Sequence, residues 1–327
     1  MKQVNWGIIG CGNVTEQKSG PAFNLIDDSS LVAVMRRNGE LAKDYAHRHR
    51  VPKWYDNADA LINDPDVNAI YIATPPDTHC SYAIQALKAG KPVYVEKPMA
   101  LNFEQCQQMI ETSNQTGIPL FVAYYRRSLP LFVKIKELIE QGTIGKPMLV
   151  NLRFYRSPSP SDLQTKNPAW RVIPEISGGG HFVDLAAHQL DYLSYILGEI
   201  TEENGFSTNH GGLYPAEDTV SATWKHSSGV TATGNWCFTC AEDTNIDTID
   251  IIGDQGKIEF STFKFSPIKV KTPHGEKEFY FEKPTHVEQY FIQTVVSELL
   301  GNEKSPANVT TAANTTRVME RILGKDK

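Results

Sequence analysis

An aspartate and a histidine four residues apart are the first candidates for acid/base chemistry in this sequence. Asp184 and His188 follow a triple glycine at 178–180, in a stretch whose apolar residues have helical spacing. Side chains four apart lie on one face of a helix, so both groups can reach one small molecule. Histidine suits proton transfer near neutral pH, and an aspartate can orient a substrate or make the imidazole more basic. A surface or capping pair is the alternative that these residues alone leave open.

A lysine directly before a proline is the second candidate. Lys97 follows the short apolar run Val93–Val95 and precedes Pro98. Proline disfavours the helical conformation at the residue before it, so Lys97 is expected to be extended at the carboxyl end of a parallel strand. Ligands of doubly wound sheets bind at that edge. A surface lysine in an extended turn is the alternative.

A glycine pair near the N terminus has the spacing of a phosphate-binding turn. The strand-like run Val4–Ile9 is followed by Gly10 and Gly12, and then by Asn13 and Val14. The first glycine permits a tight turn, and the second lets backbone N–H groups approach a pyrophosphate at a helix N terminus. A structural turn without a ligand is the alternative.

The rest of this dinucleotide-binding pattern is incomplete. Thr15 stands where the third glycine of G-x-G-x-x-G is usual, and Gly20 and Pro21 interrupt the helix that should follow. Since the third glycine serves close packing of helix on strand, we expect looser contact here.

Two arginines stand where an acidic residue would select NAD. Arg36 and Arg37 follow the second strand-like run, Leu31–Met35. In NAD sites an Asp or Glu about 20 residues beyond the glycine turn accepts hydrogen bonds from the ribose 2′-hydroxyl. Guanidinium groups instead bind a 2′-phosphate and stack on adenine. The sequence predicts NADP, with NAD as the alternative cofactor and solvated surface arginines as the alternative role.

Short apolar strands alternate with amphipathic helical stretches over residues 1–123. The strand candidates are Val4–Ile9, Leu31–Met35, Ala69–Ala73, Val93–Val95 and Leu120–Ala123. This βαβ pattern is typical of a parallel sheet covered on both faces, so we predict a Rossmann dinucleotide-binding domain over 1–123. Asp77 is expected to cap a helix that ends at Gly90, and Asn102 one that ends at Gly117.

Residues 124–327 follow a different pattern. Helices are predicted at about 129–140, 182–197, 286–300 and 310–323, and a long strand at 148–155. Four further β-rich runs are Thr219–Lys225, Val230–Phe238, Asp247–Ile252 and Lys257–Ser261. Because consecutive strands joined by short turns indicate a mainly antiparallel sheet, this half is predicted to be an α+β domain with a large open sheet. The fold class is α/β followed by α+β.

Three motifs resemble those of the glucose–fructose oxidoreductase, inositol dehydrogenase and rhizopine-catabolism (Gfo/Idh/MocA) family. They are Thr74-Pro75-Pro76-Asp77-Thr78-His79, Glu96-Lys97-Pro98, and Gly178-Gly179-Gly180 followed by Asp184 and His188. They occur in the family's order over nearly the whole chain. The resemblance implies an NAD(P)-dependent dehydrogenase or reductase that moves hydride between nicotinamide and a hydroxyl or carbonyl of a sugar, polyol or cyclic diol.

The same resemblance implies roles for individual residues. It places Lys97 beside the nicotinamide and the substrate hydroxyl, as a cationic donor that orients substrate and competes with His188 as proton carrier. His188 is then the acid/base and Asp184 the orienting group. The further cofactor contacts that it implies are Thr74, Pro75, Pro76, His79 and Glu96.

Two aromatic and basic segments are candidates for substrate binding. Tyr125 and Arg127 open the second domain where the family carries a substrate-side segment, and Trp170 and Arg171 precede the glycine run. Aromatic faces suit the C–H surfaces of a sugar, and guanidinium groups suit its hydroxyls or a carboxylate. Structural packing is an equal alternative for each.

Composition narrows the partners and the compartment. A formal net charge of -6 with scattered basic residues gives no electrostatic footprint for nucleic acid or an anionic membrane. No apolar run approaches the ~18 residues of a membrane span, and no secretory leader precedes the first strand. Five sparse cysteines fit free thiols in a reducing compartment. We expect a cytoplasmic enzyme with a small-molecule substrate, and the resemblance suggests a homodimer or homotetramer.

Two other signals are discounted. Cys237 and Cys240 form a C-x-x-C, but no second pair has zinc-site spacing and the motif ends a β-rich run, so core packing is predicted. The nine histidines include no H-E-x-x-H arrangement, and hydride transfer needs no metal, so no metal is predicted.

Two other functions remain open. One is a nicotinamide-dependent enzyme that uses transient oxidation to permit elimination or hydrolysis. The other is a catalytically silent dinucleotide-sensing protein, in which Lys97 and His188 would be dispensable.

Overall fold

The computed structural model describes residues 1–164 and 168–325, and the chain divides into two compact units. The first unit comprises Met1–Leu129 with Pro284–Ala313, and the second comprises Pro130–Lys283 with Asn314–Lys327. The helices in chain order are α1 Asn13–Gln17, α2 Gly39–His49, α3 Ala58–Ile62, α4 His79–Lys88, α5 Phe103–Thr116, α6 Pro130–Glu140, α7 Pro174–Ser177, α8 Gly180–Leu197, α9 Gln289–Leu299 and α10 Val309–Ile322.

The first unit is built on a parallel sheet of six strands. In chain order they are β1 Val4–Ile9, β2 Ser29–Met35, β3 Lys53–Tyr55, β4 Ala69–Ile72, β5 Val93–Val95 and β6 Leu120–Val122. Their order across the sheet is β3-β2-β1-β4-β5-β6, with every pair parallel. Strands β4 and β5 are buried along their whole length, as expected where helices cover both faces. The predicted Rossmann fold is confirmed. Only β3 was missed, because it is short and lacks an apolar run.

The two predicted helix caps had different outcomes. Asn102 caps α5 as predicted, since its side chain accepts a hydrogen bond from the Gln105 N–H at 2.9 Å. The cap at Asp77 was wrong. Asp77 lies within a 3-10 turn, Pro76–Thr78, that precedes α4 and is closed by the Thr78 hydroxyl, which contacts Thr74 Oγ1 at 2.8 Å.

The second unit contains an eight-stranded sheet. Its strands are β7 Pro147–Tyr155, β8 Ile200–Thr208, β9 Thr219–His226, β10 Thr231–Cys237, β11 Ile246–Gly253, β12 Lys257–Phe260, β13 Ile268–Thr272 and β14 Gly275–Phe279. Their order is β14-β13-β12-β11-β7-β10-β9-β8, and the neighbours are antiparallel except for the parallel pair β7 and β10. The predicted α+β class is confirmed. The unpredicted strands β8, β13 and β14 lie at or next to the sheet edges. β8 and β14 are largely polar, whereas β13 alternates buried Ile268 and Val270 with exposed lysines over only five residues.

The compact units differ from the predicted domains, 1–123 and 124–327. The chain returns to the first unit over 284–313, which includes α9. The reason is that the apolar face of α9 packs into the first core, where the Phe291 ring lies 6.1 Å from that of Tyr94. Sequence order does not show which core a helix near the C terminus will join.

A close backbone approach fixes the start of α8. Gly178, Gly179 and Gly180 all have positive φ, and a Cβ at Gly180 would collide with the Cβ of Ala216. The glycine run is therefore required by the fold of this unit. None of the helices within residues 1–164 and 168–325 has the length and apolar character that crossing a bilayer requires.

Replacing Asn102 with alanine is expected to lower the free energy of unfolding by about 1 kcal/mol, because the Gln105 N–H loses its acceptor. Urea denaturation would measure the change. Asn114→Ala, at an exposed site on the same helix, is the control and should not lower stability, because alanine has the higher helix propensity. Equal effects of the two substitutions would contradict the capping role.

Candidate active site

Three predicted cofactor segments follow neighbouring strands at one edge of the parallel sheet. The glycine turn follows β1, Thr74–Pro76 follows β4, and Glu96–Lys97 follows β5. The register keeps these ends level, since Ala73 N donates to Ile9 O and Glu96 N donates to Ile72 O, both at 2.9 Å. This is the carboxyl edge, at the point where the strand order reverses, where doubly wound sheets bind ligands.

The two glycines of the turn serve different purposes. Gly10 has φ +96°, and a Cβ there would lie 2.8 Å from the Thr74 backbone nitrogen. Gly12 has an ordinary φ of -135°, and its Cβ would meet only Gly10 O at 3.8 Å. Gly10 is therefore required by the fold. Gly12 leaves open space that a diphosphate would fill, so the residues present fit a dinucleotide, with exposed Asn13 and half-buried Val14 beside it.

Thr15, which stands in place of the third glycine, is fully buried, and its hydroxyl donates to Gly12 O at 2.9 Å. The Tyr45 hydroxyl donates to Thr15 O at 2.8 Å. Gly20 makes a close approach of its own, because a Cβ there would collide with Thr15 O and Tyr45 Oη. These contacts involve helices and not a strand, so looser packing of helix on strand stays a prediction.

Arg36 and Arg37 are exposed directly after β2, the strand beside β1. Burial raises the pKa of the Cys11 thiol to about 11, and the nearby Arg36 guanidinium opposes that rise. Arg36 thus carries its charge close to the glycine turn. Asn38 caps the following helix, α2, by accepting from the Leu41 N–H at 3.2 Å.

His79 supports the backbone of the site. Its ring is fully buried, with Nδ1 3.0 Å from Pro98 O and Nε2 2.8 Å from Thr74 O. Burial lowers the pKa of this imidazole. The ring lies between the Thr74 and Pro98 segments, and because its neutral form carries one N–H, it donates to one of these two carbonyl oxygens. Its contact with a cofactor stays a prediction.

Glu96 and Lys97 are linked through the backbone. Lys97 is partly buried, and its N–H donates to Glu96 Oε2 at 3.1 Å. Glu96 is buried, and its Oε1 accepts a hydrogen bond from the Tyr71 hydroxyl at 2.8 Å. Sequence reasoning missed Tyr71, because inside an apolar strand it has the pattern of a core residue.

Helix α8 of the second unit carries Asp184 and His188 one turn apart, as predicted. The Arg171 Nε donates to Asp184 Oδ2 at 3.2 Å, and the Arg171 guanidinium lies 4.4 Å from the centre of the Trp170 ring. The structure thus brings three predicted substrate residues into contact. A half-exposed arginine, aromatic ring and carboxylate together suit a polyhydroxylated molecule.

His188 is a nearly buried imidazole, 4% exposed, whose ring lies edge-on to Phe263 at 6.0 Å. One helical turn before Asp184 is His181, whose Nε2 lies 2.8 Å from Asp162 Oδ1. Burial lowers the pKa of His181, so its neutral ring donates to Asp162 from Nε2. Sequence reasoning missed this pair. The only signal was the position of His181 on the His188 face, and the Ser- and Pro-rich loop gave no reason to select Asp162.

The Tyr125–Arg127 segment has a mainly structural environment. Arg127 is buried in the first unit, where Nη1 donates to Pro306 O and Nη2 to Thr311 Oγ1, both at 2.8 Å. The guanidinium binds the segment before α10 and the first turn of that helix, and the role of Arg127 in substrate binding stays a prediction. Tyr125 is buried beneath the Arg126 guanidinium at 5.0 Å and stays only a prediction.

The cysteines are all free thiols, and Cys237 and Cys240 are half-buried. In the described ranges, 1–164 and 168–325, no group of three or more His, Cys, Asp or Glu side chains is arranged to hold a metal ion.

A Rossmann unit with this carboxyl-edge arrangement defines the class of nicotinamide dinucleotide-binding oxidoreductases. Residues 4–124 match the family described as "Oxidoreductase family, NAD-binding Rossmann fold", and residues 132–259 match the "GFO/IDH/MocA C-terminal domain". The chain therefore belongs to the Gfo/Idh/MocA family, and the resemblance carried by its motifs is confirmed. It is an NAD(P)-binding dehydrogenase or reductase acting on hydroxyl or carbonyl groups.

Several characterised proteins are similar along much of the chain. Oxidoreductase P35 of Formosa agariphila is 40% identical over 98% of this chain and 99% of its own length. Myo-inositol 2-dehydrogenase of Thermotoga maritima is 32% identical over 60% of this chain and 56% of its own. Levoglucosan dehydrogenase, solved with NADH and levoglucosan, shares the fold with a TM-score of 0.86 at 22% identity, covering 99% of this chain and 97% of that one.

The two glycines yield a paired prediction. Gly12→Ala should keep wild-type stability, because a Cβ there meets open space, yet weaken dinucleotide binding by about tenfold or more, since a methyl group would occupy the diphosphate position. Gly10→Ala should lower the unfolding free energy through its clash with Thr74 and its positive φ. Thermal unfolding and quenching titrations with reduced cofactor would measure both. Undiminished affinity in Gly12→Ala would contradict diphosphate binding at this turn.

Proposed function

We propose that this protein is an NADP-preferring dehydrogenase or reductase acting on a sugar, polyol or cyclic diol. The observation that carries the proposal is the position of Lys97, which follows β5 at the same sheet edge as the glycine turn of a dinucleotide-binding unit. Relatives named for myo-inositol, 1,5-anhydrofructose and trans-dihydrobenzenediol support the substrate class.

Oxidation of an alcohol removes a hydride from carbon and a proton from oxygen, and bound nicotinamide supplies the hydride acceptor. The protein must therefore provide a place for the proton. In the proposal, His188 takes the hydroxyl proton, and its low exposure keeps bulk water from competing. Lys97 donates a hydrogen bond to the reacting oxygen and stabilises its developing negative charge. In the reverse direction the same groups return the proton to a carbonyl.

Asp184 is proposed to orient the substrate. Its carboxylate is 17% exposed and is held by Arg171 at 3.2 Å, so its direction is fixed. A carboxylate oxygen can accept a hydrogen bond from a substrate hydroxyl, and Trp170 offers an aromatic face to the C–H surface of a ring. Thus Asp184, Arg171 and Trp170 would set specificity, while His188 and Lys97 would serve the chemistry.

The preference for NADP is supported by the two exposed arginines after β2 and by the absence of an acidic residue among 36–39. NAD is the alternative cofactor. We further propose that the protein forms homodimers or homotetramers and that its substrate is a small molecule. A net non-redox product with catalytic nicotinamide would favour elimination or hydrolysis, and binding without turnover would favour a sensor.

Single-turnover hydride transfer tests the catalytic assignment, using the best substrate from a panel of inositols, anhydrosugars and cyclic diols. His188→Ala is expected to lower the rate by about 10²–10⁴-fold, because the proton loses its acceptor. Lys97→Ala should also slow transfer while leaving the protein folded.

His210→Ala and Lys88→Ala, both at exposed sites, are the matched controls and should retain wild-type rates. Near-wild-type transfer by His188→Ala across the pH range would assign the proton to Lys97 instead.

Cofactor preference is tested by replacing both arginines. Arg36→Asp with Arg37→Ala should lower the preference for NADP over NAD by about tenfold or more, since the 2′-phosphate loses two cations and meets a carboxylate. Dissociation constants for both reduced cofactors give the ratio, and Lys43→Ala, exposed on α2, is the control. Tighter binding of NAD by the wild type would reject NADP preference.

A further inference from the structure

Two carboxyl groups and two tyrosines form a buried polar cluster next to the Lys97 backbone. Glu288, directly before α9, is 1% exposed, and Glu96 is 7% exposed. The Tyr71 hydroxyl lies 2.8 Å from Glu96 Oε1 and 3.5 Å from Glu288 Oε2. The Tyr94 hydroxyl lies 3.1 Å from Glu288 Oε2. All four residues belong to the first unit, and sequence reasoning selected only Glu96.

The hydrogen-bond partners of the two carboxyls indicate which one carries a proton. Glu96 accepts from the Tyr71 hydroxyl on Oε1 and from the Lys97 N–H on Oε2, whereas the nearest donor to Glu288 is the Tyr94 hydroxyl on Oε2. Two adjacent buried carboxylates would repel each other, so one of the two holds a proton. Glu288 is the more deeply buried of the two, and we assign it as the neutral acid that donates to Glu96.

The surroundings of Glu288 agree with this assignment. Burial and the neighbouring Glu96 raise its pKa well above the usual range, against the opposing charge of Lys18. Tyr71 and Tyr94 are the other titratable groups beside it. Helix α9 also packs against the 3-10 turn Tyr125–Ser128, whose charged residues are Arg126 and Arg127.

The cluster links the backbone of Lys97, after β5, to the residues that follow α1. On one side, Glu96 Oε2 accepts from the Lys97 N–H at 3.1 Å. On the other, the Glu288 N–H donates to Lys18 O at 3.3 Å, and Ser19 contacts Tyr71, so the residues that follow α1 are tied to the same group. Any movement of the Glu288 side chain would reach the Lys97 backbone through a single intermediate, Glu96.

We propose that Glu288 is a positioning residue for Lys97: its protonated carboxyl donates to Glu96, which in turn holds the Lys97 backbone at the end of β5. The catalytic consequence rests on the proposed function of Lys97, whereas the structural link does not. Displacing a catalytic group by about 1 Å can slow a reaction about a hundredfold, so a buried support of this kind controls rate.

The arrangement also predicts that stability and hydride transfer decline at alkaline pH. The raised pKa means that the folded state favours the protonated form, so this contribution to stability is complete at low pH and is lost as pH rises through the folded pKa. Above it, two like charges face each other beneath Lys97, and hydride transfer should slow. Glutamine at 288 can donate to Glu96 at every pH, so Glu288→Gln should lack this loss.

Two measurements on the intact protein test the link without turnover. Infrared difference spectra at neutral pH should contain the carbonyl band of a protonated buried carboxylic acid that is missing in Glu288→Gln. Amide exchange of Lys97 should be faster in Glu288→Ala than in wild type and be restored in Glu288→Gln. Glu298→Gln is the control, since this α9 glutamate pairs with Lys304 and the Ser305 N–H outside the cluster.

Kinetics then test the catalytic consequence. Glu288→Ala should lower kcat by about tenfold or more with little change in cofactor affinity, and Glu288→Gln should match wild type at neutral pH while lacking its alkaline decline. If Glu288→Ala does not fold, the infrared band and the Glu288→Gln pH profile decide. A missing acid band, or an unchanged alkaline limb in Glu288→Gln, overturns the proposal. A third outcome separates the two proposals. If the amide exchange of Lys97 depends on Glu288 but the protein oxidises none of the substrates, the proposed function is rejected and the structural link between Glu288 and Lys97 is retained.

Discussion

The first unit depends on the contact between the glycine turn after β1 and the backbone that follows β4. At Gly10 the chain turns with a positive φ, so close to Thr74 that no side chain fits. The same turn places the N–H groups of Gly10 and Cys11 within hydrogen-bonding distance of Met35 O at the end of β2. Because Gly10 has no Cβ, the turn after β1 can lie against the ends of β2 and β4. The same turn leaves the space beside Gly12 open.

The second unit obeys a similar constraint on a different scaffold. The three glycines at 178–180 have positive φ, and Gly180, the first residue of α8, lies so close to Ala216 that no Cβ fits, which fixes where the helix begins. Because the helix start is fixed, Asp184 and His188 occupy defined positions one turn apart. Arg171 then contacts the Asp184 carboxylate, and Phe263 contacts the His188 ring. The backbone at the start of α8 thus determines where Asp184 and His188 lie, and their side-chain contacts determine how the two groups are oriented.

Buried polar groups connect these constraints to chemistry. The buried His79 ring lies between the Thr74 and Pro98 segments, and Glu96 joins Lys97 to Tyr71. Such groups are costly to bury without partners, so each one fixes the backbone that it contacts. The residues nearest the proposed reaction are therefore held by a layer of polar residues that never need to touch substrate.

The sequence by itself determined the elements and the motif residues. Apolar periodicity located most strands and helices, and Gly10, Gly12, Lys97, Asp184 and His188 were identified because local spacing fixes strand ends and helix faces. Only the tertiary structure decided which distant residues support them. The packing of α9 into the first core depends on contacts between residues far apart in the chain. The same holds for Glu288, which meets Glu96 at Tyr71, and for Asp162, which meets His181. Periodicity describes which face of an element is apolar, but it carries no information about which distant side chain will fill the space beside a buried polar atom.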